Sequence, residues 1–208
     1  MMNPDDLFFD DKAGRLYVTD TGNNRILVLD RSFTPITILE GFEGDGGEWL
    51  SLSEPRGVFV DAEGLLYIAD TNNNRILVVD SQGGIVRIIG KPHINSLPEE
   101  AEFYPEKISV DAKGGLVVLA RNIFQGFISM DRDGTFLRFY GANSVELTPA
   151  LLRQLAWRNF MTYDQRRSTF RYVPVEYSNL HMSPDGFVYA TVRASETSTN
   201  EIRKLNYK

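Results

Sequence analysis

The 208-residue chain is 42% hydrophobic and 24% charged, enough to build a core and too apolar to stay disordered. Its net charge of −6, with a pI near 5.0, opposes general affinity for nucleic acid, whose phosphates need a basic surface. The absence of cysteine excludes disulfides, thiolate metal sites and cysteine nucleophiles, and no run reaches the roughly 18 apolar residues of a membrane-spanning helix.

The first unit spans residues 4–54. It opens on PDDLFFD at 4–10, and GRLYVTDTGNNRILVLD follows at 14–30 with one extra residue ahead of Gly14. No basic segment leads into an apolar one, so the expectation is a soluble chain without an export signal, its compartment left open. With Pro4 opening the first unit, closure of a ring by a strand from ahead of it is not expected from this sequence. The glycine-rich acidic stretch from Gly41 to Glu48 reads as a loop between units.

The second unit, 55–104, is the clearest. Alternating apolar and polar runs at Gly57 to Asp61, Leu65 to Asp70 and Arg75 to Asp80 are separated by DAEG and DTNNN, and a fourth run covers Ile85 to Ile89. Alternation of period two between turn-forming clusters predicts successive antiparallel strands, so one unit is a four-stranded meander.

The third unit, 105–141, keeps Pro105, Asp111 and Gly114 but carries ARNIFQG from Ala120, where the second has DTNNNRI. Strands ending at Asp131 and covering Phe136 to Tyr140 complete it. The proline spacing is 51 from Pro4 to Pro55 and 50 from Pro55 to Pro105, then 72 from Pro105 to the corresponding Tyr177. An insertion over 142–177 accounts for the excess. Within it Thr148 is a helix N-cap followed by Pro149, and Leu152, Ala156, Phe160 and Tyr163, with Leu151 and Leu155, share one face of a helix of about four turns.

The last unit, 178–208, has runs at Phe187 to Val192 and Glu201 to Leu205 but no fourth strand, and Lys208 reads as an interruption. Strand-built units recurring at roughly 40 to 50 residues indicate a β-propeller, because one small sheet cannot bury both faces alone. The expectation is a single domain over 1–208.

This pattern resembles the NHL repeat, which runs P-x-G-V-A-V-D, then G-x-I-Y-V-A-D-T-x-N-N-R-I, then a strand ending in glycine. The resemblance is closest at Pro55 to Gly90, strong at Gly14 to Asp30, partial at Pro105 to Gly141 and faint at Ser178 to Asn206. It implies an all-β propeller with four-stranded blades, about four of them here where the family usually has six, and one helical insertion. Bacterial proteins resembling this one often carry such repeats outside the cytoplasm.

Several residue groups invite a chemical reading. Asp20, Asn23, Asn24 and Arg25, with Asp70, Asn73, Asn74 and Arg75, form strand-to-strand turns in which aspartate and asparagine tolerate positive φ and the arginine reaches the aspartate. These are read as mainly structural. Asp61, Asp111 and Asp11 end first strands ahead of glycine turns, where turn capping competes with calcium binding. His93 and His181 lack the spacing of a zinc site. Calcium or zinc are the only metals in question, neither has support, and no cofactor is assigned.

There is no G-x-S-x-G, phosphate loop or dinucleotide fingerprint, and Ser109, Ser129 and Ser183 have no histidine arrangement suggesting a triad. No catalytic residue is assigned. The insertion carries Arg153, Arg158, Arg166, Arg167 and Arg171 with Trp157, Phe160, Tyr163, Phe170 and Tyr172, against Asp164. Arginine with aromatics is the composition of binding hot spots, and the same residues could instead pair with acidic loops and seal a helix onto the blades.

The expected function is a non-catalytic binding or scaffold module for a protein, peptide or glycan. The alternative is a metal-dependent hydrolase, lactonase or lyase of the gluconolactonase-like kind, and RNA binding ranks third. End blades with bare sheet faces predict self-association.

Overall fold

The structure is a computed structural model describing residues 1–97, 100–123, 125–141, 177–183, 185–192 and 201–206. Strands β1 (Leu7–Asp10), β2 (Arg15–Asp20), β3 (Arg25–Leu29) and β4 (Pro35–Leu39) form one antiparallel sheet in chain order. A hairpin of β5 (Gly41–Glu43) and β6 (Trp49–Ser51) follows, with Gly41 opposite Ser51. This corrects the loop expected over Gly41 to Glu48: Gly44, Gly46 and Gly47 form the tip of the hairpin, where Gly47 takes a φ of +80°.

The second sheet holds β7 (Pro55–Val60), β8 (Leu66–Asp70), β9 (Arg75–Val79) and β10 (Ile85–Ile89). The third holds β11 (Tyr104–Val110), β12 (Leu116–Arg121), β13 (Phe127–Met130) and β14 (Phe136–Tyr140). Among the described residues the fourth holds three strands, β15 (Tyr177–Met182), β16 (Phe187–Val192) and β17 (Glu201–Asn206). The chain is therefore an all-β propeller of four blades. The expected helix from Thr148 lies outside the described residues.

In the first three blades the first and the last hairpin each close on an aspartate that caps the turn. Asp61 Oδ1 accepts hydrogen bonds from the amides of Glu63 and Leu65 at 2.9 Å each, and Asp80, Asp111 and Asp131 repeat the arrangement. An aspartate that satisfies two loop amides replaces the pairing lost where strands end, which is why this residue recurs at strand ends. In the first blade the capping residue is Asp10, which accepts from Lys12 and Ala13, and not Asp11, whose carboxylate pairs at the surface with Arg31 at 2.9 Å. The extra residue ahead of Gly14 lengthens this turn and moves the cap back by one.

The core lies between sheets. Tyr17, Ile26 and Val28 of the first blade share a cluster with Val58, Leu66, Ile68 and Val79 of the second. Tyr67, Ile76 and Val78 of the second share another with Ile108, Leu116 and Met130 of the third. The third junction joins Val117 and Phe127 to Leu180, Val188 and Ala190. Burying each branched or aromatic side chain here stabilises the fold by about 1.5–3 kcal/mol, an upper figure given residual burial in the unfolded chain.

Candidate functional site

Each blade begins with a strand next to the first strands of its neighbours, and in three blades that strand carries the same irregularity. Pro55 pairs with Asp70 and Gly57 with Ala69, leaving Arg56 as an extra residue. Likewise Glu106 is extra between the Pro105–Ala120 and Lys107–Leu119 pairs, and Ser178 between Tyr177–Val192 and Asn179–Thr191. Such a bulge takes one side chain out of the strand's alternation and re-aims it. Asp5 holds the corresponding position one residue after Pro4.

These four residues meet at a polar cavity of about 430 Å³, completed by Lys107, Arg121 and Tyr177. Three cations face two carboxylates there, in a chain whose net charge is −6. Lys107 is buried in β11, where the second blade has Gly57. Its Nζ donates to the carbonyls of Asp5 at 2.6 Å and Arg56 at 2.9 Å, and lies 3.4 Å from Asp5 Oδ2 and 3.7 Å from Asp6 Oδ1. Burial pushes the Asp6 carboxyl above the ordinary carboxylate value, against the pull of Lys107 and the Val58 amide that donates to it at 3.1 Å.

The arginines are held differently. Arg121 Nε donates to Glu106 Oε1 at 2.9 Å, and its guanidinium stands 5.6 Å from the centre of the Tyr104 ring. Arg56 makes only long ion pairs, 3.6 Å to Asp5 and 3.5 Å to Glu54, and its buried Nε has no hydrogen-bond partner among the described residues. Its terminal nitrogens, engaged at no shorter distance among the described residues, keep donor capacity for an incoming acceptor, whereas the buried Nε is out of a ligand's reach.

The repeat turns lie at the same end of the blades, since Pro55 pairs with Asp70 where the turn begins. Their side chains tie blade to blade. Asp20 accepts from Asn23 at 2.9 Å, from Arg25 at 2.8 Å and from the Met2 amide. Burial alone would raise its carboxyl, yet these hydrogen bonds outweigh burial and hold it down to about 2. Asp70 accepts from Asn73 and Arg75 at 2.8 Å each and from the Ser53 amide at 2.7 Å. Asn24 and Asn74 both sit at a φ of 55°, and Asn24 Oδ1 receives the Glu54 amide at 2.8 Å. Thr21 donates to the Pro55 carbonyl at 2.7 Å and Thr71 to that of Pro105 at 2.6 Å. Where the second blade has Asp70 and Thr71, the third has Ala120 and Arg121, and there the inter-blade seam opens into the cavity.

His93 and His181 are exposed, and His181 pairs across the ladder with Tyr189. Ser109 is buried and accepts the Met182 amide at 3.0 Å, which joins the third blade to the fourth. Among the described residues no group of three or more histidines and carboxylates is arranged to hold a metal ion. Arg153, Trp157, Arg158, Arg166, Arg167 and Arg171 lie outside the described residues. The cavity residues escape a motif search because none belongs to a repeated motif. Their signal is the unspecified residue after each repeat proline, which changes from aspartate to arginine to glutamate.

Residues 52–79 match the family model of the NHL repeat. No curated protein matches the chain by sequence. Among solved structures, a catalytically inactive virginiamycin B lyase from Staphylococcus aureus, crystallised with quinupristin, aligns with 96% of this chain and 54% of its own at 16% identity and a TM-score of 0.51. A protein of unknown function from Bacteroides caccae aligns with 98% of this chain and 60% of its own at 13% identity and a TM-score of 0.51. At these identities the likeness is one of fold, and the chain spans little more than half the length of either neighbour.

Proposed function

We propose that this NHL-repeat propeller is a non-catalytic binding module, taking a carboxylate-bearing group of a protein, peptide or glycan partner at the cavity where the first strands of its blades meet. The observation that supports this reading is Arg56, presented by a bulge into the cavity, whose terminal nitrogens make ion pairs of 3.5 and 3.6 Å and no shorter one among the described residues. The four blades supply aspartate, arginine, glutamate and serine at one structural position. In a repeat fold, a constant backbone site with changing side chains is where recognition can vary without cost to the blades.

Peptide and glycan arrays probed with the intact chain test the proposal. Hits should carry a carboxylate, and Arg56→Ala should weaken them by about tenfold or more, the scale of a lost charge-assisted hydrogen bond. The surface control Lys113→Ala should leave them unchanged. Hits that ignore both the carboxylate and Arg56 would sink the idea.

A second reading, a metal-dependent hydrolase, lactonase or lyase, draws support from the fold shared with a chain named as a lyase. Turnover of lactone or ester substrates that is lost on adding a chelator would favour it over the binding module.

A further inference from the structure

The three junctions between blades use the same positions. Val58 and Leu66 lead the second blade onto the first, Ile108 and Leu116 lead the third onto the second, and Leu180 and Val188 lead the fourth onto the third. The first-blade counterparts of Val58 and Leu66 are Leu7 and Leu16. Leu7 is 65% exposed, and Phe9, the counterpart of the buried Val60, is 42% exposed. With Leu16, Arg31 and Phe33 they line an apolar hollow of about 440 Å³. The face that every later blade buries against its predecessor is bare on the first.

The fourth blade ends on the opposite face, more polar than its internal counterparts, with Lys204 where the second blade has the buried Val78. Its counterparts of Phe59 and Tyr67 are His181, which is exposed, and Tyr189, which is partly buried. Lys204 Nζ lies 3.9 Å from the centre of the Phe187 ring on that face, and Ile202 beside it is 73% exposed.

We propose that a second copy of this chain covers the Leu7–Phe9 face, seating its His181–Tyr189 face there, and that the reciprocal junction closes a two-fold ring. Both halves of the junction are present in one chain, in the register that the three internal junctions already use. On the rim of the first face Asp11 is paired with Arg31, which also stands over the Phe9 ring, so among the described residues Asp30 is the carboxylate that would meet Lys204 of the second face. A ring of two copies related by an axis along its centre also leaves no apolar end uncovered, whereas a single contact would leave two.

Sedimentation velocity over a wide concentration range tests this, with the chain expected at twice its mass of 23.6 kDa. Leu7→Asp with Phe9→Asp should weaken association by roughly 100-fold or more, since each buries a carboxylate in an apolar contact. Tyr189→Asp should do the same from the other face. Mixing the two variants should restore a dimer through the one intact junction, which separates disrupted association from misfolding and head-to-tail contact from like-on-like contact. A monomer at every concentration, a dimer indifferent to both faces, or folded variants that fail to pair on mixing would each overturn the proposal. None of these outcomes bears on the cavity.

Discussion

Lys107 Nζ donates to the carbonyl of Asp5 at 2.6 Å, so a lysine inside the third blade holds the segment that leads into the first, 102 residues away. The same ammonium lies beside Asp6, which is itself largely buried. Breaking such a pair from one side leaves a buried charge unmatched, a loss of about 3–5 kcal/mol. Lys107→Met should destabilise the fold on that scale in urea denaturation at neutral pH. Asp6→Asn added to it should recover part of the loss, because the stranded carboxylate is then gone. Equal losses for the single and double variants would show that packing, not charge, sets the effect.

The threonine links between blades predict a smaller and additive effect. Thr21 and Thr71 donate to carbonyls 34 residues on, at separate junctions, and both are buried. Valine keeps the shape and removes the donor, leaving a buried carbonyl short of a partner at a cost of about 1–2 kcal/mol. Thr21→Val and Thr71→Val should each lower the unfolding free energy by that amount, and together by the sum, since the sites share no partner. Stabilities equal to that of wild type would mean that water replaces the threonine at both seams.

The blades were legible in the sequence because their signals are local: alternation of period two, aspartate before a glycine turn, and the DTxNNR turn. That turn keeps the same residues because most of its side chains have partners fixed by blade geometry, from Asn24 on the Glu54 amide to Arg75 on the carbonyl of Ser51 at 3.1 Å, and Asn74 holds a φ of 55°. The cavity was not legible. Asp5, Arg56, Glu106 and Ser178 lie in different units, share no residue type, and are brought together only by bulges and by the packing of successive blades. The hairpin over Gly41 to Ser51 was missed for a related reason. Its pairing of Phe42 with Leu50 is set by position, not by a run of alternating residues.

Acid should loosen the first turn. In the folded chain the Asp20 carboxyl is held down to about 2, against roughly 3.9 in an unfolded one. A depressed carboxyl contributes stability that is complete above pH ~4 and is lost as pH falls toward ~2, because the unfolded chain takes up its proton first. Asp20→Asn should therefore be less stable than wild type at neutral pH and lose less between pH ~4 and ~2. Parallel slopes for the two proteins across that window would contradict the assignment.

Gly57 gives the sharpest steric prediction, because it stands where the third blade has Lys107 and the first has Asp6. A Cβ at Gly57 would come within 2.5 Å of the Glu106 carbonyl oxygen and 3.0 Å of the Lys107 Cα. Both are backbone atoms of the next blade's first strand, so no side chain can swing aside, and the strands must separate. Overpacking of this kind costs about 1–3 kcal/mol. Gly57→Ala should be destabilised by that amount, although the change would otherwise favour folding by restricting the unfolded chain. Moving β11 also shifts Glu106 and Lys107, so the variant should bind any carboxylate-bearing partner more weakly than wild type even where it remains fully folded. A variant as stable as wild type would mean that the two strands have room to part, and partner binding would then report how far the cavity moved with them.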